Sequence, residues 1–160
     1  MSHHEKQMTP TMAPPRDELS RLNRTFIEIF QSGNIDRLDE VTADDYVDRT
    51  PSPGQAADIQ GLKDWLRATR AAFPDARFTI EDELIEGDRI VTRSTLSGTH
   101  TGEFQGLPPT GKRFAVQSID ILRVRDGKAV EHWGVFDALG LLQQLGFVEA
   151  PKQPVAAGTR

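Results

Sequence analysis

The chain has 160 residues, a length that suits one domain, and its 37% hydrophobic and 27% charged positions exclude a wholly disordered polymer. A formal net charge of −5 argues against a nucleic-acid surface, and no apolar run approaches the roughly 20 residues of a bilayer span. Cysteine is absent, so there is neither a disulfide framework nor a thiolate nucleophile or ligand.

Residues 1–16 are polar and proline-broken, without the apolar stretch of a secretory signal, so a disordered tail on a cytoplasmic protein is expected. His3 and His4 within it read as an incidental polar pair. The domain is expected over 17–148, with a second flexible tail over 149–160. Between 17 and 32, Leu19, Leu22, Phe26, Ile27, Ile29 and Phe30 recur in steps of three and four, an amphipathic helix stopped by Gly33. A shorter helix follows over 34–41, then a turn-rich segment, DDYVDRTPSPGQ. A third helix over 58–73 puts Leu62, Trp65, Leu66, Thr69 and Phe73 on one side.

After Pro74 the apolar period changes from 3.6 to 2. A strand is expected through Phe78, Ile80 and Leu84, broken by Gly87-Asp88, and others over 89–99, 113–125 and 128–136, with a Gly/Pro-rich connection at 99–112 and a last helix over 137–145. Helices first and an antiparallel meander afterwards is an α+β pattern, here a cone-shaped curved antiparallel sheet wrapping three N-terminal helices, plus a short C-terminal helix. The outer face would carry Ile119, Ile121, Ala129, Trp133 and Val135, which is more apolar surface than a monomer comfortably exposes. A homodimer packed through that face is expected.

The stretch SIDILRVRDGKAVEHW places Asp120 inside an apolar strand and returns through Asp126-Gly127 with His132. A strict two-residue loop sets Asp120 opposite Trp133; a bulged three-residue loop sets it opposite His132. The bulged register is preferred. It gathers Val116, Leu122, Val130 and Phe136 on one apolar face whose polar feature is the Asp120–His132 pair. Burial would raise the carboxyl pKa and a neighbouring imidazolium would lower it, the setting of a proton shuttle, although a purely structural pair fits the same spacing.

His100, at a strand end beside the long loop, is a candidate at the cavity mouth or a loop cap. Trp65 reads as core and pocket wall, and Asp137 as the N-cap of the last helix. GLPPTGK at 106–112 lacks the spacing and the strand–loop–helix setting of a phosphate loop. No His/Asp/Glu cluster has metal-ligand spacing, so no metal is expected.

The segments FQSGNIDRLDEV, DDYVDRTP, LRATRAAFPDARFTIED, GTHTGEFQGLPPTGKRF and SIDILRVRDGKAVEHWGVFDALGLLQQLG resemble the SnoaL-like polyketide (ester) cyclases of the nuclear-transport-factor-2-like superfamily, over residues 18–147. The resemblance implies a dimeric α+β cone with a cofactor-free pocket and intramolecular aldol closure of polyketide esters, begun by removing a proton α to a carbonyl. It also places the acid/base aspartate of the aromatic cyclases at Gly134, and a histidine of many relatives at Arg49. Likeness to ketosteroid isomerases would give Asp48 and Asp120 the parts of base and oxyanion donor, with Tyr46 of unassigned orientation. Epoxide-hydrolase-like members use an Asp–Arg–Asp set, and Ser118 stands where the arginine is sought.

The expectation is therefore acid/base chemistry, an aldol cyclisation or isomerisation, on a small apolar or aromatic carbonyl compound. Asp120 would carry the proton with His132 as its partner. Arg49 and His100 would orient or stabilise an oxyanion, and Asp48, Trp65 and Phe136 would complete the substrate site. The alternative is a non-catalytic small-molecule-binding module of the same fold.

Overall fold

The computed structural model describes residues 14–150. Most of both expected tails, with His3 and His4, lies outside these residues. The elements run α1 (Arg16–Ser32), a 3-10 helix (Ile35–Glu40), β1 (Thr42–Asp48), α2 (Ile59–Ala72), β2 (Arg77–Glu86), β3 (Arg89–Thr99), β4 (Arg113–Arg125), β5 (Lys128–Phe136) and α3 (Ala138–Leu145). No helix among the described residues is long and apolar enough to cross a membrane.

Local chemistry sets the helix ends. Gly33 adopts φ +79 and ends α1 in the left-handed conformation that glycine tolerates. The side chains of Asp58 and Asp137 accept from Gly61 N and Gly140 N, capping α2 and α3 as Asp137 was expected to do. The second helix, expected to be α-helical, is a 3-10 turn of six residues.

The sheet has five strands in the order β1-β5-β4-β3-β2. The fifth is β1, drawn from the segment expected to be mostly turn. It pairs in parallel with β5, which makes the curved α+β sheet mixed rather than wholly antiparallel. Along β4, buried Phe114, Val116, Ser118, Leu122 and Val124 alternate with outward residues, so one face meets the helices. Leu19, Ile29, Phe30, Leu66 and Phe73 fill the space between. Phe30 packs edge-on to Phe78 at 5.0 Å and Phe73 to Phe114 at 4.7 Å, tying α1 and the end of α2 to the sheet.

The β4–β5 hairpin corrects the expected register. Asp126 and Gly127 have φ +51 and +74, a two-residue loop, and Arg125 pairs with Lys128. Val124 pairs with Ala129, but Arg123 pairs with Glu131, so Val130 is an extra residue. The bulge thus lies in β5, not in the turn, and sets Leu122 opposite His132 and Asp120 opposite Gly134. Val130 lies against Glu131 and Arg123 rather than in the cavity, whereas Ala129 turns into the core and leaves the outer face.

Candidate active site

Between the helices and the inner face of the sheet lies a cavity of about 140 Å³, open to solvent and walled by Phe26, Ile27, Leu62, Trp65, Phe104 and Phe136. An engineered apolar cavity of about 150 Å³ holds benzene, so one ring of an apolar compound fits the space. No arginine or lysine among the described residues lines it.

The sheet supplies its polar floor. His132 Nδ1 lies 3.2 Å from Asp48 Oδ1, and Nε2 lies 3.1 Å from Asp120 Oδ1. Carboxylate oxygens only accept, so both ring nitrogens donate and the ring is an imidazolium bridging two acids. The network continues on both sides. Ser118 Oγ donates to Asp120 Oδ2 at 2.9 Å, which leaves Ser94 Oγ to donate to Ser118 Oγ at 2.8 Å. On the other side Asp48 accepts from Thr50 N at 2.9 Å and from Gln55 Nε2 at 3.3 Å. The Thr50 contact is an Asx turn, which bends the chain after β1 back across the cavity.

The two carboxylates differ in setting. The Asp48 side chain is 4% exposed and bonded to His132, Thr50 and Gln55, whereas Asp120, also in the cavity lining, is 34% exposed. Burial alone would raise the Asp48 carboxyl, but the His132 and Thr50 hydrogen bonds outweigh it and hold the group below the ordinary carboxylate value. For His132 burial acts downward, yet the bonds to Asp120 and Asp48 lift its pKa to about 9. The ring is therefore cationic at neutral pH. It orients Asp120 and is a poor base itself.

Of the residues expected at the site, Asp120, His132, Asp48, Trp65 and Phe136 meet at this cavity. Arg49 and His100 do not. Alternation along the chain turns Arg49 to the outer side, where its guanidinium pairs with Glu131. His100 is completely buried, tilted against Phe73 and edge-on to Phe147, with Nδ1 3.1 Å from Thr110 Oγ1. Burial lowers its pKa, so it is a neutral loop anchor and not a mouth residue.

Of the other polar residues of the cavity, Tyr46 was named in the sequence without an orientation and Asn23 was not singled out. Tyr46 is buried in the lining, and burial together with Asp48 and Asp120 pushes its phenol well above the ordinary value, so it remains an O–H donor. Asn23, on the apolar face of α1, donates to Thr92 Oγ1 at 2.9 Å and to Glu83 Oε1 at 2.8 Å. A polar side chain interrupting an apolar helix stripe was the available signal for Asn23. For Tyr46 it was the strand hidden in DDYVD.

Comparison with known proteins places this geometry in a family. A family model described as SnoaL-like polyketide cyclase matches residues 20–145. The chain belongs to the SnoaL-like polyketide cyclases. It is 32% identical over 129 residues to nogalonic acid methyl ester cyclase of Streptomyces nogalater, covering 75% of this chain and 91% of that protein. TsrD from Streptomyces laurentii superposes with a TM-score of 0.78 at 32% identity, covering 84% of this chain and 99% of its own. IdmH, a putative polyketide cyclase from Streptomyces antibioticus, gives 0.71 at 37% identity, with 79% and 97% covered. In this SnoaL-like chain the Asp120 carboxylate stands directly across the ladder from Gly134.

Proposed function

We propose that the protein is a cofactor-independent cyclase of the SnoaL-like type, acting on an uncharged carbonyl compound of polyketide character. The observation that carries this reading is the position of Asp120: a part-exposed carboxylate at an apolar cavity, both oxygens held by donors from His132 and Ser118. Each oxygen keeps a lone pair for the proton α to a substrate carbonyl. The enolate oxygen then needs a neutral donor, and Tyr46 is the group poised to supply one. The enolate carbon attacks a second carbonyl of the same molecule and forms the new C–C bond. The resulting alkoxide takes the proton back from Asp120, so protons balance over the cycle.

The reading extends to assembly and location. The outer face carries a cross-strand row, Leu84, Val91, Ile121 and Trp133, beside Ile119 and Val135, with Leu84 69% and Val135 68% exposed. A second copy of the chain covers this face in our proposal. A cytoplasmic location is consistent with a chain that uses no cysteine.

The test is incubation with nogalonic acid methyl ester and with aklanonic acid methyl ester, the compounds named for the relatives, followed by product analysis. Ring closure accelerated over buffer supports the reading. Saturable binding of both without turnover would instead favour the non-catalytic binding module.

A further inference from the structure

Asp120 and His132 do not face each other in the ladder; the residue that faces Asp120 is Gly134. Residues so offset have Cα atoms about 7–8 Å apart, a span that a ring and a carboxylate close only along the diagonal. The carboxylate and the ring must lean toward one another, and they do so over the Cα of Gly134. A Cβ built on that glycine would lie 2.6 Å from Asp120 Oδ1, 2.7 Å from His132 Nε2 and 2.8 Å from His132 Cε1. These are the two bonded atoms and their neighbour, so the bond occupies the volume that any side chain at 134 would need.

The backbone has little freedom to retreat. Gly134 N donates to Thr50 Oγ1 at 2.7 Å, and two residues earlier His132 O accepts from Arg49 N at 2.8 Å. The strand is thus anchored to the segment after β1 on one side and to β4 on the other. We infer that Gly134 is a positioning residue of the acid/base unit: its missing side chain is what lets His132 reach Asp120 while keeping Asp48. A methyl group there would part the pair at the flexible side-chain ends and leave the fold in place. This inference rests on the reading of Asp120 as the proton carrier, but its geometric content can be measured without any substrate.

The titratable groups facing His132 are Asp48 and Tyr46 from β1 and Asp120 from β4. Losing Asp120 removes one of the two carboxylates that hold its proton. The experiment is an NMR titration of the His132 ring in the full chain, assigned by its loss in His132→Asn. Wild type, Gly134→Ala, Asp120→Ala and the double variant are compared. In Gly134→Ala the midpoint should move down from about 9 toward the ordinary 6.5. Asp120→Ala and the double variant should titrate alike, because without the carboxylate the methyl group has no bond to break and the released ring can swing away from it. Turnover should fall in Gly134→Ala with KM little changed, and an unchanged rate beside a moved titration would overturn the catalytic reading alone. A wild-type midpoint in Gly134→Ala, or equal shifts on both backgrounds, would overturn the inference. If Gly134→Ala does not fold, rescue by Asp120→Ala supports crowding at this pair. A double variant that is also unfolded would show that the need for glycine does not run through the Asp120–His132 bond, and would overturn it.

Discussion

Asp120 and His132 bond diagonally across the β4–β5 ladder, Nε2 to Oδ1 at 3.1 Å, while their Cα partners are Gly134 and Leu122. The same ring reaches Asp48 on β1 through Nδ1, so β1, β5 and β4 are linked at the cavity floor by one imidazolium. The behaviour of that ring is open to measurement from several sides.

Its charge makes folding stability pH-dependent. The folded pKa of about 9 exceeds the unfolded value of 6.5. The contribution is therefore fully present below 6.5 and lost as pH rises through 9. The His132 side chain is only 20% exposed, so solvent screening is modest and about 3 kcal/mol is the expected scale. Urea unfolding at about pH 6 and about pH 9.5, for wild type against His132→Asn, isolates the effect. The difference between the two proteins should shrink at the higher pH. Asp48 works in the opposite direction, because its lowered pKa makes its contribution fade only in acid, below 3.8.

Arg49 has the opposite standing. It sits outside the cavity in an ion pair with Glu131, with 48% of its side chain exposed. Such pairs contribute about 0–1 kcal/mol. Arg49→Ala should therefore leave turnover within about threefold of wild type and shift the unfolding midpoint little. A loss of a hundredfold would return the arginine to the site.

The outer face predicts an assembly. Trp133 ends the apolar row on β5, with the Arg89 guanidinium 5.7 Å from its ring centre. Trp133→Glu puts a carboxylate into the proposed contact, and sedimentation should then report monomers where wild type sediments as a dimer. Unchanged dimer affinity in the variant would place the contact elsewhere.

What was legible in the sequence follows from how local each signal is. The amphipathic spacing of α1 and α2, the Gly33 stop and the period-2 strands each depend on neighbours a few residues apart, and each is present. The acid and the imidazole could be singled out because both interrupt apolar strands. The extra residue at Val130 could not, since Ala129-Val130-Glu131 carries no glycine and no turn signal. It follows the meeting of β5 with β1 on one edge and β4 on the other. The strand β1 was obscured for a similar reason. Thr42–Asp48 is rich in acids, and its partner lies more than eighty residues away in parallel orientation. Arg49 was misplaced because, without β1, no alternation was available to turn it outward.

The most direct measurement is turnover and stability of Asp120→Asn on one substrate, nogalonic acid methyl ester. Asparagine keeps the shape and most of the hydrogen bonding but cannot carry the proton. The account predicts a rate lower by roughly 10²–10⁴-fold. It also predicts destabilisation under about 2 kcal/mol, because His132 keeps Asp48 as its partner. A rate equal to wild type beside a loss of about 3–5 kcal/mol, the cost of stranding a buried ion-pair partner, would make Asp120 structural and contradict the account.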